Sequence, residues 1–436
     1  MSTDIETSAL RKVSFRLVPF LGLLYFAAFI DRVNVSFAAA QMNRDLGFSD
    51  TVYGFGAGIF FIGYCLFEVP SNLILHRVGA RRWIARIMLT WAVLAASMAF
   101  VRGPTAFYCL RFLLGVAEAG FFPGIVYYLT YWVPARRRAR LIGLFMTAVP
   151  ISTALGGPLS GALLKLDGTL GLAGWQWLFL VEALPSIVLG LATLKYLRDA
   201  PMQAEWLEPA ERDWLTRTLE AERSRGRALQ VTALGALANP RVLGLGFCYF
   251  GVQLGLYGVI LWVPQILTHA GVAAANVGYV VAIPYAVAAV GMVLWCRHSD
   301  RARERVRHIA TASVVAFLGI LASAAIPAAP VLAVVAITVG AVGTLSILPV
   351  FWTLPAASLK GAAAASGIAL INALGNVGGF VGPFVIGWVK STTGSFTWGL
   401  LVVATGVLVT GVTALVLGHD ANAEHGVAEL VRPTEA

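Results

Sequence analysis

Charge is scarce in this 436-residue sequence, where Asp, Glu, Lys and Arg together make up 12%. A soluble domain carries about a quarter, so a water-exposed fold is a poor fit. Cysteine is scarce too, with four residues (Cys65, Cys109, Cys248 and Cys296), no CxxC and no metal-ligand spacing. That excludes a disulfide framework and a thiolate metal centre, leaving the cysteines as small apolar residues. Six histidines without an HExxH pair argue against a zinc hydrolase, and no metal or other cofactor is expected. The glycine-rich stretches 156–161 and 375–382 lack the Gly-x-x-x-x-Gly-Lys-Ser/Thr pattern and lie inside apolar runs. Close helix packing explains them better than a nucleotide loop. The N-terminus is polar and acidic, and no small-residue cleavage site follows the first apolar run, so no signal peptide is expected.

What is abundant is hydrophobicity, at 58% of residues. A helix crossing a bilayer needs roughly 20 apolar residues, because hydrocarbon offers no partner to an unpaired backbone group. Runs of that length fall at 15–39, 52–75, 83–101, 104–131, 139–164 and 175–197, then at 241–268, 275–296, 308–327, 330–354, 362–389 and 396–418. Between the two sets, the stretch around Trp206 and Trp214 is too polar to cross and predicts an amphipathic or solvated linker helix. The expected architecture is all-α, with twelve transmembrane helices in two six-helix bundles. Its divisions are 1–197, a linker at 198–238, a second bundle at 239–420 and a tail at 421–436.

The net charge of +10 sits mainly in short loops, a pattern that sets membrane orientation and not a nucleic-acid face. Arg77, Arg81 and Arg82 lie in one loop, Arg136, Arg137, Arg138 and Arg140 in another, and five arginines in 297–307. Alternate loops carry one basic residue or none. The basic loops, both termini and the linker are therefore expected in the cytoplasm, and no nucleic-acid partner is expected. Internal repetition points the same way: His76-Arg77 matches Asp300-Arg301, and Gly157-Pro158 matches Gly382-Pro383, at separations of 224 and 225 residues.

Ionisable groups inside the runs are the functional candidates, since each costs roughly 2.5–3.5 kcal/mol at a helix centre. Asp31 and Arg32 lie in the first run, Arg111 and Glu118 in the fourth, and Glu68 and Glu182 elsewhere. Arg111 and Glu118 are two helical turns apart on one face, with a rise of about 10.5 Å between them. The four central charges predict a buried cluster in which Asp31 and Glu118 carry protons and Arg32 offers a carboxylate a bidentate fork. The alternative is ion pairs that merely tie helices together or cap a span near an interface. Glu68 is expected to pair with loop arginines, and Glu182 is open between the two roles. Tyr64, Tyr249, Gln253, Tyr257, Tyr285, Trp352, Asn372 and Asn376 place polar tips inside apolar runs, as cavity lining or helix-to-helix contacts.

The sequence resembles the major facilitator superfamily and, within it, the anion:cation symporter family, over essentially its whole length. Three features carry the resemblance. Ser71 to Arg82 (SNLILHRVGARR) looks like the superfamily's loop motif, and Arg297-His298-Ser299-Asp300-Arg301 repeats it. Asp31-Arg32 after an aromatic run looks like the family's first helix. Arg111 to Glu118 (RFLLGVAE), followed by Phe121-Phe122-Pro123-Gly124, looks like its fourth. The resemblance implies Asp31 and Glu118 as proton-coupling carboxylates, Arg32 as the substrate arginine and Arg111 as the partner of Glu118. It also implies Tyr64 and Asn372 as substrate contacts, and His76, Arg77, Asp300 and Arg301 as gating-loop residues. Gln253, Tyr257, Trp352 and Asn376 complete the expected binding residues.

Three departures stand out. His76 replaces an acid of the loop motif, Phe29 replaces a tyrosine, and Val149 replaces a glutamine of sugar-acid members. Fewer hydrogen-bonding groups favour a less hydroxylated anion, tartrate-like or aromatic. The expectation is a monomeric, proton-coupled importer of a small organic anion in the bacterial inner membrane, with protons, the anion and membrane lipid as its partners. An exporter of the same fold is the alternative, favoured by the Gly-Pro patch at 156–161. A non-transporting sensor would need an output domain, and a membrane enzyme would need a nucleophile with its base.

Overall fold

The computed structural model of the chain describes residues 2–226, 239–325, 329–358 and 362–418. The expected linker's 227–238, the expected tail at 421–436 and the side chains of Arg136 and Arg140 lie outside the described residues. Among the described residues, twelve helices are long and apolar enough to cross a membrane. They are Ile5–Leu46, Asp50–Val78, Ala80–Phe100, Pro104–Leu129, Leu141–Leu164 and Gly174–Tyr196, then Pro240–Ile260, Ala274–Ala302, Arg305–Ala325, Pro330–Pro355, Gly367–Thr393 and Thr397–Gly418. They are named here as the first to twelfth spans. Each apolar run closes its backbone hydrogen bonds internally, as a medium without water requires.

Two breaks position central residues. The fourth span stops at Glu118 and restarts at Phe121, with Gly120 between them at φ 84°. A Cβ on Gly120 would also meet Ser71 Oγ at 2.4 Å, so glycine alone suits both the backbone and the approach of the second span. The fifth span bends at Thr147, between Ala135–Met146 and Ala148–Leu164.

Within the first six spans, the first packs on the fifth and sixth, the second on the fourth, and the third on the sixth. The last six pack chiefly seventh on eleventh and twelfth, ninth on tenth and twelfth, and eighth on tenth. The two sets meet where the second span crosses the eleventh and the fifth crosses the eighth. At the Asp50 end this contact is tight. Lys390 Nζ lies 3.0 Å from Asp50, Ser391 Oγ accepts from Thr51 N–H at 2.9 Å, and Tyr53 OH donates to the Leu261 carbonyl at 2.6 Å. Gly157 meets Gly278 backbone to backbone, where a Cβ on Gly278 would stand 2.3 Å from the Gly157 carbonyl oxygen. The glycine-rich stretch at 156–161 thus serves as a close helix contact.

The polar stretch after the sixth span forms a helix at Pro209–Gly226 that docks on the start of the first. Ser8 Oγ donates to Glu211 at 2.7 Å, and Lys12 Nζ reaches both Glu208 and Glu211. The Trp206 ring stacks on Trp132 at 5.6 Å, and the Arg16 guanidinium lies over it. Burial disfavours the Glu211 carboxylate, but the Ser8 hydroxyl, the Glu208 N–H and Lys12 outweigh it and hold its pKa below the usual range.

Candidate functional site

Between the two sets of spans lies a central cavity of about 40 Å³, room for roughly three waters. From the first five spans it is lined by Tyr25, Phe29, Arg32, Phe60, Phe61, Tyr64, Phe122, Met146 and Val149. Tyr249, Gln253, Leu256, Tyr257, Leu348, Trp352, Asn372 and Asn376 line it from the last six. All seven expected binding residues (Arg32, Tyr64, Gln253, Tyr257, Trp352, Asn372 and Asn376) therefore converge on one wall or another of this space. So do Phe29 and Val149, which make the wall apolar where a polyol would need partners.

Arg32 is the centre. Its guanidinium pairs with Glu118 through Nη2 and donates through Nη1 to Tyr257 OH at 2.7 Å. The rings of Phe29, Phe60, Tyr64 and Tyr257 surround it at 5.3–5.9 Å, within the range of cation–π attraction. Among the described residues, Arg32 Nε is a buried donor without a hydrogen-bond partner. The cavity wall thus carries a guanidinium with a donor to spare, the polarity an anion needs.

The expected four-charge cluster divides. Asp31 is buried but points away from the cavity, accepting from Trp91 Nε1 at 2.9 Å and Ser186 Oγ at 2.7 Å. Consecutive residues on a helix stand about 100° apart, so Asp31 and Arg32 face different neighbours. Glu182 lies in the same layer and accepts from Ser160 at 2.7 Å. Asp31 Oδ1 lacks a hydrogen-bond partner there among the described residues.

Arg111 makes no direct ion pair with Glu118 among the described residues, although the two charges still interact at longer range. Its Nε and Nη2 donate to the carbonyls of Gly56 and Ala57, at 3.3 and 3.1 Å, tying the fourth span to the second. The two turns between Arg111 and Glu118 leave too much rise for a direct ion pair, and Arg32 takes that place.

Glu68 also differs from expectation. Rather than meeting loop arginines, it accepts from Asn372 Nδ2 at 2.6 Å and Asn376 Nδ2 at 3.3 Å, on the eleventh span. Beside it, Cys65 Sγ approaches the Ala373 carbonyl at 3.6 Å. The expected gating-loop residues lie on helix ends: Asp300, near the end of the eighth span, pairs with Arg305 at the start of the ninth at 2.6 Å, and the His76 ring, in the last turn of the second, faces Tyr127 at 5.6 Å.

Sequence reasoning missed Phe60, Phe61, Tyr25, Phe122 and Met146 as cavity lining, and Trp91 and Ser186 as partners of Asp31. Nothing in an apolar run separates a cavity-facing phenylalanine from a lipid-facing one. Ser186, one turn beyond Glu182, was the available hint.

The chain matches the family model described as Major Facilitator Superfamily over residues 21–383 and 245–429. A protein from Agrobacterium vitis named "Putative tartrate transporter" is 53% identical over 420 residues, covering 96% of this chain and 93% of its own. "Quinolone resistance transporter" of Acinetobacter baumannii is 43% identical, covering 91% and 92%. Among solved structures, a bacterial homologue of the human lysosomal transporter Spinster, in an inward-facing and occupied conformation, has a TM-score of 0.73 at 17% identity. It covers 92% of this chain and 96% of its own. With its sequence, its twelve spans and its fold in agreement, the chain belongs to the Major Facilitator Superfamily.

Proposed function

We propose that this protein is a proton-coupled symporter that imports a small organic carboxylate by alternating access. The observation that carries the reading is Arg32, a guanidinium in the cavity between the two sets of spans whose partner is the acid Glu118. An arginine keeps its charge in a protein, whereas an acid can be neutralised. Protonation of Glu118 releases Arg32 for the substrate carboxylate, and loss of the substrate restores the pair. Proton and anion then bind together because either alone leaves a buried charge uncompensated, at a cost of about 3–5 kcal/mol. Asp31 takes a second proton from behind, through the Trp91–Ser186 layer. Trp352, Gln253, Asn372, Asn376 and Tyr64 contact the anion, and the apolar Phe29 and Val149 favour a tartrate-like or aromatic acid over a polyol. The name of the Agrobacterium vitis relative supports the same class.

By loop charge, the tightly closed Asp50 end faces outside, and the basic loops and described N-terminus face the cytoplasm of a bacterial inner membrane. The units that rock are 1–197 and 239–420, joined by 198–238, with the helix ends at His76-Arg77 and Asp300-Arg301 as gates. Each net positive charge carried inward gains about 2.3 kcal/mol per 100 mV. The protein acts as a monomer.

An exporter of the same fold is the second reading, favoured by the Gly157–Gly278 contact and the name of the Acinetobacter baumannii relative. Purified protein in liposomes under an inward proton gradient separates the two. Internal acidification triggered by one class of carboxylate supports symport. Acid-independent behaviour, or carboxylate leaving against the gradient as protons enter, overturns it.

A further inference from the structure

A second cavity lies away from the central one, at the Ala302 end of the eighth span. It is a groove of about 580 Å³ between the eighth, ninth and tenth spans. Leu294, Trp295, Val315 and Val342 are among its apolar lining, and Arg297 and Arg301 line it as well. From Leu294 the helix runs one turn to Arg297 and two to Arg301, so the cations sit beyond the apolar depth, toward the helix end.

Where the groove opens follows from exposure. Ile283, Val287, Val290 and Leu294 are 46–61% exposed and recur at helical spacing, a single apolar stripe along the eighth span. On a membrane-spanning helix that stripe faces hydrocarbon, and it ends in the groove at Leu294. Val314 and Leu318 continue the exposed apolar surface on the ninth span.

The nearby acids are engaged elsewhere. Asp300 is engaged by Arg305 at 2.6 Å and Glu304 by Arg307 at 2.8 Å. Among the described residues no acid pairs with Arg297 or Arg301. Four residues apart, the two arginines lie on one helix face, where like charges repel. At the base, Ser346 Oγ is buried without a hydrogen-bond partner. An occupant must therefore be apolar along most of its length and anionic at one end.

We propose that this groove binds an anionic phospholipid, with an acyl chain between the eighth, ninth and tenth spans and its phosphate on Arg297 and Arg301. The chemistry matches on both counts: hydrocarbon fills an apolar groove open to the bilayer, and a phosphate accepts from two guanidinium forks at once. The proposal is independent of what crosses the central cavity.

The test uses the full-length protein in detergent, with phosphatidylglycerol or phosphatidylcholine added at equal concentration and bound lipid counted by native mass spectrometry. Wild type should retain one phosphatidylglycerol per chain with a preference over phosphatidylcholine of roughly thirtyfold. The variant Arg297→Gln/Arg301→Gln should lose that preference while keeping its circular dichroism melt. Equal retention of the two lipids by wild type, or an undiminished preference in the folded double variant, would overturn the proposal. A second measurement needs no arginine variant. In vesicles doped with chain-brominated phosphatidylglycerol, tryptophan quenching should exceed the lipid's mole fraction, and Trp295→Phe should remove the excess. Quenching that simply follows mole fraction would overturn it equally.

Discussion

Arg32 of the first span donates through Nη1 to the hydroxyl of Tyr257 in the seventh, at 2.7 Å, across the centre of the molecule. The same guanidinium pairs with Glu118, so one side chain joins an acid of the fourth span to a phenol from the opposite set of spans. Tyr257→Phe removes a hydrogen bond to a charged group, worth about 1.5–3 kcal/mol. Its apparent anion affinity should fall by roughly ten- to a hundredfold. Arg32→Lys should lose uptake, because one ammonium cannot reproduce both bonds. Concentration-dependent uptake in proteoliposomes checks both, and unchanged affinity in Arg32→Lys would count against the clamp.

Glu118→Gln fixes the partner of Arg32 in its neutral form. Proton-driven accumulation should vanish while exchange of labelled for unlabelled anion survives. Asp31→Asn should behave likewise, although its side chain lies outside the cavity. Counterflow compared with gradient-driven uptake reads the distinction, and wild-type accumulation in either variant would remove its proton-carrying role.

Glu68 holds Asn372 and Asn376 from the eleventh span. Glu68→Ala strands the buried amide of Asn376 and the half-buried one of Asn372 and frees the adjoining helices. Cys65, half-buried beside Ala373, is a built-in reporter of that separation. Its alkylation, followed by peptide mass spectrometry against exposed Cys109, should accelerate several-fold in Glu68→Ala. An unaltered rate would show that the Glu68 contact does not restrain the two spans.

Gly278→Val places side-chain carbon where the Gly157 carbonyl stands. The fifth and eighth spans should no longer close, so transport should fall below a tenth of wild type while each set of spans stays folded. Transport assays paired with thermal unfolding distinguish this from general destabilisation. Gly120→Ala, by contrast, should lower the melting temperature, since φ 84° costs an L-residue about 1–2 kcal/mol.

The linker helix docks through Glu211, whose pKa is held below its ordinary value. A depressed carboxylate contributes stability above its unfolded pKa and loses it as pH falls through the folded one. Docking should therefore be intact at neutral pH and loosen in acid, below the usual carboxylate range. Limited proteolysis of the linker against pH reads this, and Glu211→Gln should remove the acid-dependent step.

The membrane class, the twelve spans and the burial of Asp31, Arg32 and Glu118 were legible because a bilayer acts locally. It demands a run of apolar residues long enough to cross, and it makes every charge within such a run conspicuous. Tyr257 and Trp352 were legible as polar tips inside apolar runs and Asn372 as a substrate contact through resemblance, but Phe60 and Phe61 beside Arg32 were not legible at all. Tertiary structure decided the pairings. Arg32 and not Arg111 meets Glu118; Asp31 turns to Trp91 and Ser186; Glu68 meets two asparagines some 300 residues away. Each of these depends on how a helix is rotated about its axis and which neighbour it packs against. A turn of about 100° per residue carries a side chain from the cavity to the interior of a bundle, and the packing that sets that angle comes from spans remote in the chain.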